Sequence, residues 1–90
     1  MSIFSQRLSA ARKFRRLSQG ELARKTRLKQ SAISQFETGR RAPSFHNLRR
    51  LADALEVSAD FLLGRSNSVE MPRNRVPGKG ITQFIREYAL

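Results

Sequence analysis

Gln30, Ser31, Ser34 and Gln35 are the side chains of this sequence best suited to reading another molecule. Each is uncharged and can both donate and accept hydrogen bonds. A glutamine carboxamide can pair bidentately with the N6/N7 edge of adenine, and a serine hydroxyl can bond to several bases. Ile33 and Phe36 lie among them. On a helix, burying those two turns the four polar side chains to the accessible side. Catalytic chemistry has far less to stand on. His46 is the only histidine, cysteine is absent, and no glycine-rich phosphate loop follows a strand. Asp53, Glu56 and Asp60 read as helix-surface charges rather than as a paired acid and base. No enzyme activity, metal site or cofactor is expected.

The charge balance points the same way. Eighteen Lys and Arg against seven Asp and Glu give a net charge of +11. Such an excess suits a polyanion, either nucleic acid or an acidic membrane face. Arginine dominates the basic residues, and its planar fork suits phosphate and guanine. A membrane-surface role would need a broad apolar helix face, whereas the basic helix carrying Arg49 and Arg50 must spend its apolar stripe on the core. No apolar run approaches the roughly 20 residues of a membrane span, and no signal-peptide pattern opens the chain. A cytoplasmic protein with no membrane partner is expected.

The elements that must position these residues are helical. The 90 residues predict one small all-α domain over residues 1–64, a five-helix bundle. Phe4, Leu8 and Ala11 share one face of a first helix, Ile3 to Arg15. Ser18-Gln19-Gly20-Glu21 reads as a capping box opening a second helix, which buries Leu22 and Ala23 and ends near Lys25. Thr26 to Lys29 form a sharp connection to a third helix, Gln30 to Thr38, which Gly39 closes. After Arg40-Arg41-Ala42-Pro43, Ser44 caps a fourth helix with a buried stripe of Leu48, Leu51, Ala52 and Leu55 and Phe45 at its start. Val57 and the N-cap Ser58 introduce a short last helix holding Phe61 and Leu62, ended by Gly64. Residues 65–80, rich in Pro, Gly, Ser and Asn, predict a flexible basic linker. In 81–90, Ile81, Phe84, Ile85 and Tyr88 recur at i, i+3, i+4 and i+7, a short amphipathic tail helix that needs something to pack on.

Two short helices joined by so tight a turn form the skeleton of a helix-turn-helix. The blocks Leu17-Ser18-Gln19-Gly20-Glu21-Leu22-Ala23, Gln30 through Gly39, Pro43-Ser44 and Leu51 through Ser58 agree in order and spacing with one family. Over about residues 3–64 the sequence closely resembles the Xre family, which includes the lambdoid phage repressors and Cro proteins. The resemblance implies a lambda-repressor-like fold and a regulator, most simply a repressor, that binds double-stranded DNA. Its third helix would lie in the major groove, with Gln30, Ser31 and Gln35 foremost among the base readers.

Gln19 stands in the first turn of the second helix, where free N–H groups and the helix dipole favour a phosphate; the resemblance implies the same role. Arg27, Lys29, Thr38, Arg40 and Arg41 flank the third helix and are expected to position the DNA backbone without reading sequence. The resemblance also implies an ion pair between Arg12 and Glu37 that orients the third helix. One domain reads few base pairs, so a homodimer on a near-palindromic operator is expected. Val57 to Leu63 and the tail are the expected dimer surface. The alternative is an antitoxin, which would bind a partner toxin through the tail and autoregulate its operon. Some positions depart from the family. Arg16 and Arg27 replace the usual helix-end glycines, so those turns are expected to differ locally. Thr26 replaces an aliphatic, Lys29 is a weak N-cap, and Phe14 replaces a polar residue and is expected to be exposed or covered by the tail.

Overall fold

Serine hydroxyls start four of the five helices. The structure, a computed structural model, describes residues 2–68. Helix α1 (Ile3–Phe14) begins at Ser2, whose Oγ accepts the Ser5 N–H. Helix α2 (Gln19–Thr26) begins at Ser18, where both halves of the predicted capping box are made. Helix α4 (Phe45–Leu55) is capped by Ser44 and helix α5 (Ala59–Leu62) by Ser58. Each such cap contributes about 1 kcal/mol by satisfying an otherwise free N–H. Helix α3 (Gln30–Thr38) lacks one: Lys29 occupies its N-cap and makes no side-chain cap bond. No strand occurs among the described residues, and no helix among them is long and apolar enough to cross a membrane.

The core assembles from the apolar stripes of all five helices. Leu8, Ala11, Leu22, Ala23, Ile33, Phe36, Leu48, Leu51, Ala52, Leu55, Val57, Phe61 and Leu62 are all buried. Helix α3 packs on α1 and α2, α2 also packs on α4, and α5 joins α1 to α4. Ala23 and Ile33 stand among the buried residues of adjoining α2 and α3. A bulkier side chain than alanine at position 23 would push these helices apart.

Several local expectations need correction. Helix α1 stops at Phe14, with Arg15 as its cap. Helix α2 runs one residue into the predicted connection, because Thr26 turns its hydroxyl back onto the Leu22 carbonyl at 2.8 Å and is buried. Phe14 is half-buried against the core, with the Arg15 guanidinium 5.4 Å from its ring centroid. Phe45, expected to begin the buried stripe of α4, is 72% exposed. It is the first helical residue after a loop, and nothing among the described residues covers the first turn of α4 there. The turns at Arg16 and Arg27 do not escape the geometry glycine would take: their φ angles are 59° and 60°, and Glu56 shares it at 59°. A left-handed backbone costs a residue with a Cβ about 1 kcal/mol.

Arg7 is the largest surprise of the interior. Its side chain is only 2% exposed, yet it lies next to the apolar stripe of α1. Its Nη1 donates to the carbonyls of Phe61 (2.8 Å) and Ser66 (2.9 Å), and its Nη2 to Asn67 Oδ1 (2.8 Å). The guanidinium stacks 4.4 Å from the Phe61 ring centroid, and its Nε has no hydrogen-bond partner among the described residues. Burial lowers its pKa from the ordinary arginine value, since desolvation disfavours the charged form. Residues 65–68 of the expected linker are described and lie against the domain; 69–80 and the expected tail segment 81–90 fall outside the described residues.

Candidate nucleic-acid interface

The accessible side of α3 follows from what its other side buries. Ile33, Phe36 and Glu37 are buried, while Gln30, Ser31 and Gln35 are exposed and Ser34 is half-buried. Four groups that both donate and accept hydrogen bonds therefore share one reachable face. The turn leading into this helix is short. The Arg27 N–H bonds to the carbonyl of Arg24, and the Leu28 N–H bonds to that of Ala23 at 2.9 Å, so α3 leaves α2 at a defined angle.

A second tie fixes the far end of α3. Arg12 Nε donates to Glu37 Oε2 at 2.6 Å, and Arg12 Nη2 to Glu37 Oε1 at 3.1 Å. Both side chains are nearly out of solvent, at 11% and 7% exposure. Arg12 Nη1 also donates to the Leu17 carbonyl at 2.8 Å, so one guanidinium links α1, the α1–α2 turn and α3. A planar guanidinium meeting a carboxylate bidentately fixes direction as well as distance.

Gln19 belongs to this network, which the sequence alone did not show. Its Nε2 donates to Glu37 Oε1 at 3.1 Å, and the residue is half-buried. A carboxamide carries two N–H groups, so this bond leaves one for another acceptor. The Gln30 amide in turn lies over the first turn of α2. A Cβ built on Gly20 would come within 3.3 Å of Gln30 Oε1. Gly20 thus makes room for the first polar residue of α3, a close approach that no sequence signal announces. Glu21 closes the same turn. Hydrogen bonds from the Ser18 backbone N–H and hydroxyl hold its carboxyl below the usual value, helped by Arg24 and Lys25.

The basic residues divide into two places. Arg40 and Arg41 are exposed directly after α3, and both their N–H groups bond to the Gln35 carbonyl. The Arg41 guanidinium lies 5.8 Å from the Phe36 ring centroid, which holds it at the end of α3. Thr38 is exposed, its hydroxyl donating to the Gln35 carbonyl at 3.2 Å, and Lys29 is exposed at the other end of the helix. Arg27 lines instead a groove of about 490 Å³ with Lys25, Thr26, Arg50, Asp53, Ala54 and Glu56. No α3 residue lines that groove. Among the described residues no cluster of His, Asp and Glu could hold a metal ion.

A short helix with a buried face, set against a second helix across a tight turn and presenting amides and hydroxyls framed by arginines, defines a helix-turn-helix domain. The chain belongs to the Xre-type helix-turn-helix family, whose model matches residues 8–62. It is similar to the transcriptional repressor RstR of the cryptic phage CTXphi of Vibrio cholerae, with 35% identity over 82 residues, 91% of this chain and 73% of that protein. It is 36% identical over 66 residues to the HTH-type transcriptional regulator YqaE of Bacillus subtilis, covering 72% of this chain and 57% of YqaE. The chain thus spans little more than half the length of that relative. Among solved structures, the P22 c2 repressor in complex with a synthetic operator matches with a TM-score of 0.69 and 32% identity, over 73% of this chain and all of that one.

Proposed function

We propose that this chain is a DNA-binding transcriptional repressor that lays α3 in the major groove of its operator. The observation that carries this reading is the division of α3. Ile33, Phe36 and Glu37 are buried, and Gln30, Ser31, Ser34 and Gln35 are left on the reachable side. Gln30 and Gln35 pair with adenine edges or equivalent acceptor and donor sets, and the serines adapt to neighbouring bases. The free amide N–H of Gln19, Lys29, Thr38, Arg40 and Arg41 hold phosphates and set the register. Arg27, exposed in the turn between α2 and α3, adds to this backbone contact. The similarity to a repressor solved with operator DNA supports the same partner here.

Two copies bind a near-palindromic operator, because one short helix reads too few base pairs for usable specificity. Half-sites then lie about one helical turn, roughly 34 Å, apart. Selection of bound sequences from a random duplex pool tests binding, symmetry and readout together. The expected outcome is an inverted repeat with that spacing. Recovery of sequences no better bound than the starting pool would overturn the proposal.

A further inference from the structure

We propose that Gly20 is a specificity-determining residue: its missing side chain sets where the Gln30 carboxamide lies, and so which base edge Gln30 reads. The proposal deepens the DNA reading given above and rests on it. Three observations lead to it. The first is that the backbone gives no reason for glycine at position 20. Gly39 and Gly64 are left-handed, with φ of +80° at each, and Gly20 is not. It lies within the first turn of α2, where the capping box of Ser18 and Glu21 already ties the helix start. Within a helix glycine is less favourable than alanine, because it has more backbone freedom to lose. Alanine would serve α2 better.

The second observation is the contact. A Cβ built on Gly20 would lie 3.3 Å from Gln30 Oε1 and 3.8 Å from Gln30 Cδ, with Arg24 Nη1 3.9 Å away. The first distance is inside the roughly 3.5–4.0 Å of an ordinary carbon contact. What meets position 20 is therefore the carboxamide of the first residue of α3, reached across the α2–α3 turn.

The third observation is that the Gln30 carboxamide has no other tie. Gln30 is exposed, and its side chain makes no hydrogen bond to a described residue. Gln19, by contrast, is held by Glu37 at 3.1 Å. The surface over Gly20 is thus what defines the place of Gln30. A methyl group at position 20 would meet the free end of an exposed side chain, so it would move that end by a few tenths of an ångström and leave the helices where they are. Base readout tolerates such a shift poorly. A bidentate amide-to-base pair needs both bonds at once, and recognition groups must be held to within about 0.5 Å. The substitution therefore keeps the fold and changes the preference at one base.

The test is Gly20→Ala and Gln30→Ala, singly and together, in the full chain. Each is read by thermal melting, by selection of bound duplexes, and by competition between duplexes that differ at one base pair. A nuclear Overhauser effect between the Gly20 Hα and Gln30 side-chain protons checks the contact in the free protein, without DNA. Gly20→Ala is expected to melt no lower than the parent. It is expected to change discrimination by at least about fivefold, the low end of what one good base contact supplies. That change falls at the base position which Gln30→Ala relaxes, and adding Gly20→Ala to Gln30→Ala alters nothing further. A missing Overhauser effect, a large loss of melting temperature, parental base preference in Gly20→Ala, an equal weakening of all duplexes, or an effect that persists without the Gln30 side chain overturns the proposal. A parent chain that prefers no duplex refutes the DNA reading and this inference with it. A parent with clear preference beside an unresponsive Gly20→Ala refutes this inference alone.

Discussion

Replacing Glu37 with leucine, Arg12 with methionine, and then both together tests what holds α3 in its place. In the native fold the pair is bidentate, with the shorter bond at 2.6 Å, and at 11% and 7% exposure it has little access to water. Removing one partner strands the other charge where solvent cannot compensate it, a loss of about 3–5 kcal/mol. A domain of this size has roughly 5–15 kcal/mol in total, so either single variant loses a large share of its stability. The double variant strands no charge. What it loses is the donor to the Leu17 carbonyl and the acceptor for the Gln19 amide. Both residues are half-buried, so water reaches them. It is therefore expected within about 2 kcal/mol of the parent, well above either single variant. Urea unfolding followed by circular dichroism at neutral pH measures all four chains on one scale. Two single variants that each lost less than about 1 kcal/mol, or a double variant equal to the sum of the singles, would refute the reasoning.

Gln30→Ala and Gln35→Ala are each expected to weaken binding to a selected duplex by about 1–3 kcal/mol and to relax preference at one base position; unchanged affinity and preference in a competition assay removes that residue from the readers. Arg40→Ala or Arg41→Ala is expected to weaken all duplexes alike and lower the slope of log affinity against log salt by about 0.9 for each phosphate left without its arginine; a titration across salt concentrations with an unaltered slope excludes the residue from the backbone contacts. Arg16→Gly, Arg27→Gly and Glu56→Gly each relieve a left-handed residue and are expected to stabilise the fold by up to about 1 kcal/mol, less the extra entropy glycine gives the unfolded chain. Thermal melting reads this directly, and a uniform destabilisation at the three sites would show that the side chains stabilise those turns by more than the strain they carry.

The features legible in the sequence are those that repeat locally or belong to a few adjacent residues. Apolar residues at helical spacing marked the core, because a helix face must be buried or solvated as a unit. The serine caps and the Ser18–Glu21 box could be placed because their partners lie three residues away, and Gly39 because a left-handed cap favours a missing Cβ. The reachable face of α3 followed from Ile33 and Phe36 by geometry alone. Phe45 shows where this logic stops: its spacing fits the stripe of α4, but nothing among the described residues covers that turn, and Phe45 stands exposed there.

Other features were decided by partners far away along the chain. Arg7 is separated from its acceptors by 54 to 60 residues, and no periodicity within α1 reveals that two carbonyls, an amide and a ring await it. The one local sign was a charge placed three residues after Phe4 and four before Ala11, beside the apolar stripe. Gln19 bonding to Glu37, Gly20 making room for Gln30, and Arg15 reaching the Leu55 carbonyl at 2.8 Å to satisfy the end of α4 are of the same kind. Sequence alone determined which faces must be hidden, because that is a property of each segment. Which polar groups meet depends on how the hidden faces are stacked, and only the folded chain decides that.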